Sequence, residues 1–310
     1  MRLLIFGAGV LGTFYAAKLQ ARGHDVTILA RGRRAVQIRD QGLVVQERGR
    51  GCLRARASVI ESLGAEQSYD YVLVLVRNDQ IESVLPSLAA NKATPSLVFM
   101  FNNLAGPQRL IDMLGRERVM LGFPGAAGER ASDGTVVATV LPALIQQTTV
   151  GELDGFRTPR VRLLAAALQE AGFPTAISSH MDAWLKTHVA LVSSIADAFY
   201  AAGGDLKVLA KSRFQVTAML LAIRKAFAAL RAQGLPVTPA RLRGVELLPA
   251  WLLVGACQWA LRTSYAELII ARHATVAREE MAVLAEQLHA LVERSAGIAT
   301  HASLPEHGRP

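Results

Sequence analysis

Hydrophobic and polar positions change their rhythm once along this chain, close to residue 180. Before that point short apolar runs recur between polar turns: "LLIF" at 3–6, "VTILA" at 26–30, "YVLVLV" at 71–76 and "LVFMF" at 97–101. Runs this short and this rich in Val, Leu and Ile read as strands, and the longer segment between the first two reads as a helix. "VMLGFPGAAGER" and "GTVVATVLPALIQQTTVGEL" add strands that close the domain as an antiparallel extension. "PRVRLLAAALQEAGF" spaces its Ala and Leu by three and four, so it forms a helix that covers the sheet, and "PTAISS" is a last short strand. From Met181 onward helical patterns take over: "MDAWLKTHVALVSSIADAFYAA", "RFQVTAMLLAIRKAFAALRAQG", "GVELLPAWLLVGACQWALR" and "RHATVAREEMAVLAEQLHALVERSAG", before a frayed tail "IATHASLPEHGRP". No internal repeat is evident.

Composition adds limits to this picture. The chain has 310 residues, 51% of them apolar, which is enough for two domains with real cores and argues against disorder. Its formal charge of +9 favours negatively charged ligands, but the arginines are scattered and no nucleic-acid motif or aromatic-interleaved basic stripe accompanies them. Cys52 and Cys257 are too few and too far apart for a metal cluster; they read as reduced thiols of a cytoplasmic protein. No segment has the length and flanks of a membrane span, and the apolar run after Arg2 reads as a first strand rather than an export signal.

The chemistry starts at "GAGVLG", where Gly7, Gly9 and Gly12 stand between a strand and a helix. Gly7 permits a tight turn, Gly9 leaves room for a pyrophosphate, and Gly12 lets the helix approach the sheet. The free amides at that helix's start, around Val10 and Leu11, then face the phosphates. This is the arrangement of a Rossmann-type dinucleotide-binding domain. The second strand ends in "LARGRR", with Arg31, Arg33 and Arg34 where an Asp or Glu would hold a free ribose diol. Three arginines there favour a ribose 2′-phosphate, hence NADP, against the plainer reading of a basic solvated loop. Arg77 and Gln80 follow the third strand, and Asn102 and Asn103 the fourth, at the edge where such sheets bind ligands. A turn or helix-cap role remains open for the asparagines.

In the helical half, "AWLKTHVALVSSIADAFY" puts Lys186 on a face with Ala190, Ser193 and Asp197, bordered by Ser194 and more polar than the face of Trp184, Leu191, Ile195 and Phe199. A lysine so placed can polarise a carbonyl and give its oxygen a proton as hydride reaches the carbon. The alternative is a surface lysine in a first helical turn. His188 points elsewhere on an ideal helix, so it does not share one reacting atom with Lys186.

Taken in order, "GAGVLGTFYAAKL", "RNDQ", "NNLAG" and "DAWLKT" resemble the ketopantoate reductase family over nearly the whole chain. The resemblance implies a Rossmann-type domain at 1–180 followed by an all-helical substrate-binding domain at 181–310. It implies NADPH as cofactor, a branched 2-oxo acid as substrate (2-dehydropantoate in pantothenate biosynthesis) and Lys186 as general acid. It carries Asn103 over as a cofactor and substrate contact, and Arg77 and Gln80 as cofactor contacts. Family asparagines four and eight residues beyond the lysine are replaced here by Ala190 and Ser194. Ser264 and Glu279 stand where the late substrate-binding serine and glutamate are expected, with Glu280, His273 and Arg278 as competitors. Another 2-oxo acid, an imine, or a non-catalytic NADP-binding role would fit these departures. The uncharged "LLPAWLLVGACQWAL" also suits a homodimer contact or a domain core.

Overall fold

The computed structural model describes residues 1–271 and 278–302, and it divides into two compact units, Met1–Asp182 and Ala183–Pro310. Within the first unit, strands β1 (Arg2–Phe6), β2 (Asp25–Leu29), β3 (Leu43–Glu47), β4 (Gly51–Ala55), β5 (Ser58–Ile60), β6 (Tyr71–Val74), β7 (Leu97–Met100) and β8 (Val119–Phe123) come first. They are followed by β9 (Ala126–Arg130), β10 (Val136–Val140), β11 (Thr148–Glu152) and β12 (Thr175–Ile177). The helices are α1 (Val10–Gln20), α2 (Gly32–Gln41), α3 (Ile81–Ala90), α4 (Gln108–Leu114) and α5 (Pro159–Glu170).

The main sheet has the order β12-β11-β8-β7-β6-β1-β2-β5. All pairs from β5 to β8 are parallel, so that half is the doubly wound Rossmann sheet whose strand order reverses between β1 and β6. Leu3, Leu4, Ile5, Val72, Leu73, Leu97, Val98 and Phe99 are fully buried, as strands covered on both faces require. α5 starts where Thr158 accepts a hydrogen bond from the Val161 amide and Pro159 takes the first helical position, which needs no N–H.

The antiparallel extension divides differently from the sequence expectation. β11 pairs antiparallel with β8 in the main sheet, but β9 and β10 leave it and join β3 and β4 in a separate sheet of order β4-β3-β10-β9. The small sheet packs on α1, whose residues Gly12 to Leu19 are all buried. Lys18 belongs to that run, and its ammonium sits 3.0 Å from both carboxylate oxygens of Glu47 on β3.

The second unit is helical. α6 (Met181–Ala201) leads, followed by helices Leu206–Lys211, Arg213–Ala232, Ala250–Ala260 and Arg278–Ala302. The expected helix through "GVELLPAWLLV" is broken in two: a short turn Gly244–Leu247 ends at Leu248, because Pro249 offers no N–H to continue it and starts the next helix as its cap. The last helix runs to Ala302, further than the frayed tail anticipated.

Candidate active site

The strand register sets the site. Phe6 lies opposite both Leu29 and Val74, and Val74 opposite Phe99. Gly7, Arg31, Arg77 and Asn103 therefore leave β1, β2, β6 and β7 at one carboxyl edge, spread over about 14 Å at ~4.8 Å per strand. Gly7 lies at the reversal of strand order, the place where such sheets bind ligands.

The three glycines do three different jobs. Gly7 has φ +120°, and a Cβ there would stand 2.6 Å from the Leu75 carbonyl oxygen. A Cβ on Gly12 would collide with the Gly7 carbonyl. At Gly9, by contrast, a Cβ would meet nothing within 4 Å, so the backbone there faces open space with room for a ligand. Gly9 caps α1 without any side-chain hydrogen bond, and helix geometry leaves the amides of Val10, Leu11 and Gly12 without intrahelical acceptors. The turn thus fits a dinucleotide's pyrophosphate.

The arginines after β2 are not equivalent. Arg31 and Arg33 are exposed at the start of α2, with the Arg31 Nε 3.3 Å from the Glu61 carbonyl oxygen. Arg34 turns inward and donates to Thr13 Oγ1 at 2.9 Å, Gln37 Oε1 at 2.7 Å and the Gly134 carbonyl at 3.1 Å. Burial, and secondarily the charge of Arg130, push its guanidinium down to about 10.

At the neighbouring strand ends, polar groups are already engaged locally. Arg77 forms a two-point ion pair with Asp79, at 3.0 and 2.8 Å, and its amide lies 3.4 Å from Gln80 Oε1. Asn103 is buried and closes its own turn, donating to the Gly106 carbonyl at 2.9 Å and accepting from the Gly106 amide at 3.0 Å. The turn reading of Asn103 is thus realised; its second amide hydrogen is left for any further contact.

In the second unit Lys186 occupies the second turn of α6 and is half-buried. His188 stacks on Trp184 one turn earlier, ring centroids 5.3 Å apart, and both lie about 200° around the helix from Lys186. Ala190 and Ser194 are buried, and the Ser194 hydroxyl donates to the Ala190 carbonyl at 2.9 Å. Ser264 is exposed at the start of the short helix Ser264–Ala266. Glu279 is exposed and Glu280 buried in the first turn of the last helix. That helix is tied to α6 through Arg278 over the Tyr200 ring, 5.3 Å to the centroid, and through His289 and Asp197 at 3.8 Å. These ties lie eleven to fourteen residues beyond Lys186, about 17–21 Å along the helix axis, so Lys186 and Glu279 are fixed at different levels of α6. His273 lies outside the described residues. Among the described residues no cluster could hold a metal ion, and no helix is long and apolar enough to cross a membrane.

The family profile of ketopantoate reductase PanE/ApbA matches residues 3–155, the stretch that contains the glycine turn and all four strand ends. Residues 3–155 are a ketopantoate reductase family domain. Relatives extend the match beyond that stretch. An uncharacterised oxidoreductase YkpB of Bacillus subtilis (strain 168) is 27% identical over 77% of this chain and 78% of its own. A 2-dehydropantoate 2-reductase of Mesorhizobium japonicum is 28% identical over 60% of this chain and 63% of its own. In structure, D-mandelate dehydrogenase in a ternary complex with NADH and anilino(oxo)acetate superposes with a TM-score of 0.64 at 16% identity, covering 96% of this chain and 99% of that one. The ketopantoate reductase family consists of oxidoreductases that bind a nicotinamide dinucleotide and act on small molecules, and this chain is an oxidoreductase of that type.

Proposed function

We propose that this protein is an NADPH-dependent reductase of a small branched 2-oxo acid, converting 2-dehydropantoate to pantoate in the cytoplasm as a step of pantothenate synthesis. The observation that supports it best is the carboxyl edge of the first unit. Gly9, in the turn after β1, leaves an open approach, and exposed arginines, not an acid, follow β2. Gly7, Gly9, Val10, Leu11 and Gly12 would hold the pyrophosphate; Arg31 and Arg33 would hold the ribose phosphate; Arg77, Gln80 and Asn103 would meet the nicotinamide side. When bound, the cofactor would supply hydride for the carbonyl carbon of the substrate. Lys186 polarises that carbonyl and gives its oxygen a proton, leaving a 2-hydroxy acid. The two unpaired thiols suit a reducing compartment.

A second reading, a reductase of a different 2-oxo acid, is favoured by Ala190 and Ser194. One has no polar side-chain group and the other gives its hydroxyl hydrogen to α6, so neither is placed to donate to the substrate's carboxylate. The D-mandelate dehydrogenase of similar fold, solved with NADH and anilino(oxo)acetate, supports this reading. Loss of NADPH absorbance with 2-dehydropantoate, pyruvate, 2-oxoisovalerate and phenylglyoxylate separates the two. We expect the highest kcat/KM for 2-dehydropantoate, and a tenfold preference for phenylglyoxylate would select the second reading.

The proposal includes a homodimer. Helices Arg213–Ala232 and Ala250–Ala260 run antiparallel, because Gln258 reaches the Ala210 carbonyl while Arg224 reaches those of Val245 and Leu248. These two helices leave Phe214, Leu221, Trp251, Leu252 and Trp259 at 83%, 55%, 67%, 46% and 73% exposure. Three rings this exposed, at roughly 150–250 Å² each, present on the order of 400 Å². Exposed rings in this number suit a subunit contact. Helix Ala250–Ala260 carries no charge, so two copies can meet on it despite the net charge of +9. Sedimentation should show a dimer that Trp251→Glu together with Trp259→Glu converts to a folded monomer; a wild-type monomer at all concentrations would remove the dimer.

A further inference from the structure

The small sheet delivers an arginine to the glycine turn. Arg130, the last residue of β9, donates through Nη2 to the carbonyl of Ala8, between Gly7 and Gly9, at 2.8 Å. The same carbonyl receives the Thr13 hydroxyl at 3.4 Å, and that hydroxyl in turn accepts from Arg34 Nη2 at 2.9 Å. One connected chain, Arg34–Thr13–Ala8–Arg130, thus brings two guanidinium groups to one flank of the turn. Neither makes an ion pair among the described residues. The Nε of Arg34 is buried without an acceptor, and the Nε and Nη1 of Arg130 make no hydrogen bond. Two like charges held by neutral partners repel, and Arg34's proton affinity is lowered by its burial first and by the charge of Arg130 second. An anion between them would relieve the repulsion and take the unused donors.

We propose that Arg130, with Arg34, forms a phosphate-monoester site on the small-sheet flank of the glycine turn, and that its ligand is the ribose 2′-phosphate of the cofactor. The inference rests on the NADP reading above and deepens it, adding a residue from outside the βαβ unit to the arginines after β2. Arg34 is too enclosed to close on a ligand by itself; Arg130 is exposed and has an open edge. The Ala8 contact fixes Arg130 without consuming its charge, so the phosphate meets a guanidinium already in position.

Dissociation constants for NADPH and NADH, read by nucleotide fluorescence on the full chain, test this with Arg130→Gln and Arg130→Lys. We expect the wild type to favour NADPH at least tenfold, and Arg130→Gln to weaken NADPH tenfold or more while the NADH constant moves less than threefold. Arg130→Lys should fall between. Inorganic phosphate at millimolar concentration should compete with NADPH and not with NADH; competition against both would show the free ion occupying the pyrophosphate position and would count against the site. If the wild type favours NADPH but Arg130→Gln weakens both nucleotides equally, or neither, Arg130 only braces the turn and the proposal falls while the NADP reading stands. If the wild type does not discriminate, both fall together.

Discussion

Replacing Lys186 by Ala should lower kcat/KM by about 10²- to 10⁴-fold, the usual contribution of a positioned general acid, or about 3–5 kcal/mol of barrier. NADPH affinity should stay within about twofold, since the residues proposed to hold the nucleotide all lie in the first unit. Lys186→Arg separates the two parts of the role. Arginine keeps the positive charge, so it can still polarise a carbonyl, but it does not release a proton at neutral pH. If proton donation matters, Lys186→Arg stays within about tenfold of the Ala variant; recovery to near wild-type turnover would show that charge alone suffices. Single-turnover oxidation of bound NADPH reads this step without interference from product release. A Lys186→Ala enzyme with unchanged turnover would return Lys186 to the status of a surface residue in an early turn of α6.

The glycine turn gives the second large effect, because Gly9 and Gly12 should fail in opposite ways. A side chain at Gly9 finds open space, and the residue's φ of −69° is one that any residue adopts. Gly9→Val should therefore cost about 1 kcal/mol or less in stability, as a changed helix cap does. Yet it should weaken NADPH binding by about 100-fold or more, because the side chain fills the space the phosphate needs. Gly12→Ala drives a methyl into the Gly7 carbonyl, a backbone atom that cannot step aside. It should cost about 3 kcal/mol or more, lowering Tm by about 6–12 °C. Thermal melts and nucleotide titrations on the two variants check the crossing. Equal loss of stability in both would mean that Gly9 is not open to the ligand.

Much of the first unit was legible because its signals are local. The wholly apolar strands, the glycine spacing and the absence of an acid after β2 each depend on a few adjacent residues. The small sheet was not legible as a separate layer. β9 and β10 carry the same strand pattern wherever they pair, and only long-range pairing with β3 and β4 decides it. One clue was present: "VLGTFYAAKLQ" is apolar on every side, so α1 needed a second cover besides the main sheet. Arg34 shows a further limit. Three neighbouring arginines look alike in sequence, but helix α2 turns one of them toward Thr13 and leaves the other two exposed. Arg130 was missed because nothing near "GERASDGT" announces a nucleotide; only the folding of β9 against α1 brings it to Ala8. In the helical unit, the break at Pro249 was written in the residue itself, whereas the engagement of Ser194 with Ala190 belongs to the helix interior, which a face diagram does not resolve.

The enclosure of α1 bears on how this chain can be cut or grafted. A fragment ending after the second strand would keep every residue of the nucleotide fingerprint. It would nevertheless lose Glu47, leaving the Lys18 ammonium without its counter-charge, and it would lose Thr148 and Phe173, which hold the Tyr15 hydroxyl and stack on its ring. The smallest transferable nucleotide module in this protein is therefore not the βαβ unit but the whole first unit, with the small sheet as its lid on the reverse side.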